Sequence, residues 1–156
     1  MSFEELREKD QKNIANTYNR FPADIVRGEG ATLYSEDGRK YIDLGSGIAV
    51  NSFGVNDSEW KQAVIAQLNL VQHASNLYYT RPQAELAALL CERTGAKKVF
   101  FSNSGAEANE CAIKAARKYS YDRYGEGRFH IVTFKNSFHG RTMATLSATG
   151  QDVMHR

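Results

Sequence analysis

The chain has 156 residues, enough for one ordinary domain and for a sizeable buried core. With 42% hydrophobic and 24% charged residues it reads as a globular protein, not a disordered or fibrous one. Twenty basic side chains against eighteen acidic leave a net charge of +2, scattered rather than blocked, which argues against nucleic acid or an anionic membrane surface as partner.

In chain order, "SFEELREKDQKNIANTY" predicts a polar helix or arm with few apolar anchors. It is charged and lacks the apolar core of a signal peptide, and no later run approaches the ~18 apolar residues of a membrane span, so a cytoplasmic protein is expected. "ATLYSEDGRKYIDLGSG" has hairpin character, with Asp37-Gly38 as a tight turn between short strands holding Leu33, Tyr34, Tyr41 and Ile42. Gly45 and Gly47 mark a loop, followed by the apolar run "IAV". From Asp57 the period changes: Trp60, Val64, Leu68 and Val71 form one face of an amphipathic helix.

"TRPQAELAALLCERTG" predicts a second helix, with Thr80 and Gln83 as a capping-box pair, Pro82 in the first turn and Gly95 closing it. "KKVFF" reads as a strand buried on both faces, as in a parallel sheet. A long helix follows from Ser104, then "RFHIVTFKNS" as another strand and "GRTMATLSATG" as a short helix or turn. Cys91 and Cys111 show no CxxC spacing and no histidine cluster; they read as small buried residues of a reducing compartment, and no metal site is expected.

Strands alternating with helices predict an α/β layered domain over residues 57–156, preceded by a mainly β and irregular arm over 1–56. Only two strands are evident in the α/β part, whereas a parallel sheet needs several. The chain stops at "QDVMHR" directly after a Gly-containing turn, as expected of the front portion of a larger protein.

Two segments carry candidate chemistry. In "SNSGAEANECAIKAARKY", Ser104 and Glu107 have capping-box spacing, and the first amides of the helix have no internal acceptor and lie at its positive end. Gly105 removes a side chain where an anion needs close backbone approach, and Ala108, Cys111, Ala112, Ala115 and Ala116 form a narrow stripe suited to packing on a sheet. Most such helix starts hold no ligand, and neither GxxxxGK[ST] nor GxGxxG occurs. The second segment, "KNSFHGRT", lies just past the other strand, at the edge where α/β sheets place ligands. The Phe138 ring suits stacking on a planar cofactor and the Arg141 fork suits a carboxylate. Taken alone, Phe138 also fits a core position, His139 a satisfied turn histidine and Arg141 a solvated charge.

In combination and in order, "YNRFPADIVRGEGATLYSEDGRKYIDLGSGIAVNSFG", "QHASNLYYTRPQAELAALL", "VFFSNSGAEANECAIKAARKY" and "IVTFKNSFHGRTMATLSATGQ" resemble the class III pyridoxal-phosphate aminotransferases. The resemblance implies the N-terminal part of the aspartate-aminotransferase-like α/β fold (fold type I), incomplete here, with 57–156 as the first part of the large cofactor-binding domain and 1–56 as arm and small-domain segment. It implies that the turn at Ser104, Gly105 and Ala106 holds the phosphate of pyridoxal 5'-phosphate and that Phe138 lies against its ring. In the branch acting on N-acetylornithine it implies that Arg141 receives the donor's carboxylate. That chemistry passes the δ-amine to the cofactor and then to 2-oxoglutarate, in a homodimer, as a step of arginine biosynthesis.

Residues around Gly47 and Tyr79 resemble segments near the dimer interface of relatives. Val55 stands where relatives often carry histidine, for which a local loop difference is expected. The lysine that holds the cofactor covalently and the aspartate that pairs with its ring nitrogen are expected beyond residue 156, so no catalytic residue is assigned in this chain. Ornithine, succinylornithine and 4-aminobutyrate remain alternative donors, and a self-sufficient non-catalytic binding module remains an alternative of another class.

Overall fold

The computed structural model describes residues 1–155, which divide into two compact units, Met1–Tyr78 and the residues from Tyr79 onward. In the first unit, α1 (Phe3–Asn13) starts at Ser2, whose hydroxyl accepts the Glu5 amide at 3.2 Å while the Glu5 carboxylate accepts the Ser2 amide at 2.8 Å. This reciprocal cap satisfies two of the end amides. The helix stops earlier than its polar pattern predicts, because Ile14 is extended.

Three short strands follow: β1 (Arg27–Glu29), β2 (Thr32–Tyr34) and β3 (Lys40–Ile42), an antiparallel sheet in sequence order. Leu33 faces Tyr41 and Thr32 faces Ile42, so the predicted hairpin is present with its turn at Ser35–Arg39. β1 was not legible beforehand; it pairs through Gly28 and Leu33, and Gly30 and Val55 exchange both backbone bonds, at 2.9 and 2.8 Å. The turn is organised by Asp37, whose carboxylate accepts the Ser35 hydroxyl at 2.5 Å and pairs with Arg39 Nε at 2.8 Å. Asp24, itself buried, accepts the Glu36 amide at 3.1 Å and ties the preceding segment to that turn.

The "IAV" run lies in an unforeseen conformation. α2 (Ser46–Ala49) is a single turn in which Ser46, Gly47, Ile48 and Ala49 all have φ between 46 and 63°, a left-handed turn. For L-residues this costs roughly 1–2 kcal/mol each. It is held by Asp43 Oδ1, which accepts the Gly45 and Ser46 amides at 3.1 and 2.8 Å, and by the Ala49 and Val50 amides bonding to Gly45 and Ser46 oxygens. α3 (Ser58–Leu68) then starts at Asp57, which accepts the Trp60 amide at 2.8 Å.

The second unit holds α4 (Arg81–Thr94), α5 (Gly105–Tyr124), α6 (Met143–Ala148) and a 3₁₀ turn, Asp152–His155. Gly95 ends α4 in the left-handed conformation, as its sequence predicts. The Thr80–Gln83 capping box does not form: their side chains meet each other at 3.5 Å and Thr80 accepts no helix amide.

Three larger expectations are corrected. Residues 97–101 and 128–137 are not strands, because a strand exists only as half of a ladder and, among the described residues, neither segment has a partner. The expected core is missing as well: among the described residues no hydrophobic side chain is buried, and the buried side chains are Asp24, Ser35, Thr145 and Thr149. The accessible surface is 13795 Å², against about 7,900 Å² for a compact chain of this mass. The apolar faces of α3 and α4 and the run at Phe100 meet no second layer within their units, so their burial energy is not gained. Cys91 and Cys111 are accordingly part-exposed, and the small-residue stripe of α5 is largely uncovered.

The Ser35 hydroxyl, and then Arg39, hold the Asp37 carboxyl at about 2, below its ordinary 3.8. A depressed carboxyl stabilises the fold above its unfolded value and loses that contribution as pH falls through its folded value. NMR titration is expected to place the Asp37 midpoint near 2, with hairpin amide protection falling between about pH 4 and 2 and that fall abolished in Asp37→Asn. A midpoint at or above 3.8 contradicts the turn geometry.

Candidate functional site

The site is built from the start of α5 and the loop that leads into α6, both in the second unit. Ser104 is extended and its hydroxyl accepts the Glu107 amide at 3.2 Å, which caps the helix. The reciprocal half of the predicted capping box is displaced by one residue: the Glu107 carboxylate accepts the Asn103 backbone amide at 2.7 Å and its side-chain amide at 3.1 Å, not the Ser104 amide. The Gly105 and Ala106 amides, the first two of the helix, have no intrahelical acceptor and lie at the positive end of its dipole. A methyl group placed on Gly105 would meet nothing within 4 Å. The chain's own packing therefore does not require glycine there.

The second segment crosses this helix start at its closest possible approach. Gly140 is buried with φ 132°, and a methyl group on it would lie 2.6 Å from Ala106 Cβ and 2.6 Å from Thr145 Oγ1. Only glycine fits both the space and the conformation. The geometry thus brings Gly105, Ala106 and the Phe138–Arg141 loop together. Phe138 is half exposed, and the Arg141 guanidinium carbon lies 5.6 Å from the centre of its ring. His139 contributes its backbone: its amide donates to Thr149 Oγ1 at 3.0 Å and its carbonyl accepts from Asn109 Nδ2 at 2.8 Å. Gly47 belongs to the left-handed turn of the first unit, and Tyr79 is fully exposed.

Beneath the loop lies a polar knot that sequence reasoning did not find. Thr145 is fully buried; its hydroxyl oxygen accepts the Thr142 amide at 3.0 Å and lies 2.7 Å from the Thr142 hydroxyl. Thr149, also buried, directs its own hydroxyl proton at the Thr145 and Gly140 carbonyls, 2.9 and 3.2 Å away. From α5, Glu110 accepts the Thr142 hydroxyl at 2.5 Å and the Ala144 amide at 3.2 Å. The Thr142 hydroxyl bond, followed by the Ala144 and Thr145 amides and the Lys114 charge, holds the Glu110 carboxyl below the usual range, so it is ionised at neutral pH. The far end of the loop is closed by the Asn136 amide to the Gly150 carbonyl, 2.8 Å, and the Gly150 amide to the Ser137 carbonyl, 3.0 Å. The one available signal was the pair of polar residues, Asn109 and Glu110, interrupting a stripe of small ones. Among the described residues no group of three or more side chains is placed to hold a metal, and no helix is long and apolar enough to cross a membrane.

An open helix start, packed against a loop that carries an aromatic ring with a guanidinium near it, offers groups suited to a phosphorylated planar cofactor and an acidic substrate. The class-III aminotransferase family model matches residues 13–156. The chain belongs to the class III aminotransferases. These are pyridoxal-phosphate-dependent enzymes of fold type I, and the α/β architecture of this chain is theirs over the part it spans.

An acetylornithine aminotransferase of Haemophilus ducreyi is 51% identical over 156 residues, covering 100% of this chain and 40% of the relative. Another from Caldanaerobacter subterraneus subsp. tengcongensis is 48% identical, covering 94% of this chain and 37% of the relative. The solved adenosylmethionine-8-amino-7-oxononanoate aminotransferase of Methanocaldococcus jannaschii superposes with a TM-score of 0.91 at 32% identity, covering 99% of this chain and 37% of that one. The chain therefore spans about 40% or less of the length of the relatives it matches.

Gly140→Ala forces either the loop or the start of α5 to move. It is expected to cost about 1–3 kcal/mol in a denaturant melt, whereas Gly105→Ala is expected to be neutral or stabilising by up to about 1 kcal/mol, since its methyl enters open space. Equal effects at the two glycines would contradict the close approach described here.

Proposed function

We propose that the start of α5 binds the phosphate of pyridoxal 5'-phosphate through the Gly105 and Ala106 amides, with Phe138 against the pyridine ring and Arg141 on the carboxylate of the amino donor. The observation that carries this reading is the contact of Gly140 with Ala106, which sets the two candidate segments side by side. The cofactor, when bound, supplies the electron sink for amino transfer. The residues of this chain bind and orient: the helix dipole and two amides favour the phosphate dianion, and the Phe138 face limits the tilt of the ring. A bidentate guanidinium at Arg141 fixes a donor by an end remote from its reacting amine.

The donor proposed is N-acetylornithine, whose δ-amine lies far from its α-carboxylate, with 2-oxoglutarate as acceptor and a role in arginine biosynthesis. Support comes from relatives at 51% and 48% identity that carry the acetylornithine aminotransferase name. We read the 156 residues as the N-terminal portion of a cytoplasmic, homodimeric enzyme, with 1–56 as arm and small-domain segment and 57–156 as the first part of the large domain. The lysine that holds the cofactor covalently and the aspartate on its ring nitrogen lie outside them. The uncovered apolar faces and a surface of 13795 Å² support that reading, since such faces are stable only under a further layer.

The test uses the longest product of the reading frame. Pyridoxal phosphate is expected to bind, and Gly105→Ala to weaken that binding about tenfold or more without lowering the melting temperature. Among N-acetylornithine, ornithine and 4-aminobutyrate, kcat/KM is expected to be highest for the first, and Arg141→Lys to raise its KM about 10- to 100-fold. Preference for 4-aminobutyrate would overturn the donor assignment; a Gly105→Ala variant with unchanged cofactor affinity would overturn the phosphate site.

A further inference from the structure

We infer that Glu110, with Asn109 beside it, is a positioning residue that sets the donor-binding end of the site independently of the cofactor-binding end. The inference rests on the functional reading above, in which Arg141 meets the donor. Arg141 is bracketed by hydrogen bonds made by two adjacent residues of α5. On its N-terminal side Asn109 Nδ2 donates to the His139 carbonyl at 2.8 Å. On its C-terminal side Glu110 Oε1 accepts both the Thr142 hydroxyl and the Ala144 amide, at 2.5 and 3.2 Å. These connections span 30, 32 and 34 residues of chain, so they are tertiary ties and not local turn bonds.

Charge and chemistry favour Glu110 as the decisive member. A carboxylate accepting a hydroxyl and an amide together makes stronger, shorter bonds than a neutral acceptor does. One of its partners, Thr142, follows Arg141 directly and also caps α6. The Thr142 hydroxyl in turn lies 2.7 Å from the buried Thr145 hydroxyl, so Glu110 orients the whole knot on which the Arg141 backbone sits. The cofactor end has a support of its own in Ser104, which caps α5, while Gly140, whose carbonyl accepts the Thr149 hydroxyl at 3.2 Å, seats against Ala106. Six consecutive residues, Gly105 to Glu110, thereby carry the phosphate turn and the tether of the donor fork, with one function at each end.

The two roles separate kinetically. In the longest product of the reading frame, Glu110→Ala is expected to raise the donor KM about tenfold or more while kcat and pyridoxal phosphate affinity stay within about threefold. Glu110→Gln keeps an oxygen acceptor for Thr142 and Ala144, and is expected to return KM to within about threefold of the unsubstituted protein. Amide exchange at Ala144 is expected to accelerate in Glu110→Ala and to be restored in Glu110→Gln, a readout that needs no activity. An unchanged KM in Glu110→Ala would overturn the inference. So would a joint loss of kcat, KM, cofactor affinity and melting temperature in both variants, which marks general structural damage. If the unsubstituted protein itself takes up no pyridoxal phosphate and transfers no amine, the functional reading falls and this inference with it. An active protein with an indifferent Glu110 removes this inference alone.

Discussion

The site depends on one steric constraint: the backbone of Gly140 lies where any side chain would strike Ala106 and Thr145. Because nothing but hydrogen fits between them, the loop carrying Phe138 and Arg141 lies against the first turn of α5. It is there that the free amides and the positive end of the helix dipole are found. Without that approach the chain would hold an open helix start and a loop with an arginine, each commonplace. With it, an open helix start and the loop that carries an aromatic ring and a guanidinium share one small region.

What holds the loop is polar, not hydrophobic. Thr145 and Thr149 are buried with their hydroxyls satisfied, and Glu110 reaches across from α5 to complete the set. Buried hydroxyls left without partners would cost about 1–3 kcal/mol each, so such a knot is stable only in the arrangement that satisfies all of its members. That makes it specific about geometry even though it removes little apolar surface from water. The same reasoning applies to the hairpin of the first unit, where Asp37, Ser35 and Arg39 organise the turn and Asp24 anchors it. In both units, directional bonds define the local shape, while the large apolar faces stay uncovered within their units.

The elements that were legible beforehand depend on local physics. The α3 start at Asp57, the α4 stop at Gly95, the α5 cap at Ser104 and the Leu33–Tyr41 pairing across the Asp37-Gly38 turn each arise from residues within a few positions of one another. The errors came where a partner distant in sequence decides. The runs at 97–101 and 128–137 have strand composition, but a ladder requires a neighbour and they have none among the described residues. The left-handed turn at Ser46–Ala49 defeats propensity altogether, since Ile48 is among the residues least suited to positive φ.

For the site, residue types and spacing raised Gly105, Phe138 and Arg141 as candidates, because helix-end amides, planar rings and guanidinium forks have fixed chemistries wherever they occur, while Ala106 and the roles of all four came with the resemblance to the family. Membership of the class III aminotransferases was likewise readable from the order of motifs along the chain. The tertiary structure alone decided that the two segments meet, and that they do so through Gly140. It also decided that Asn109 and Glu110, unremarkable polar residues of a helix, tie the loop in place from 30 and more residues away. Contacts of that range are set by how the backbone folds back on itself, which no local pattern encodes.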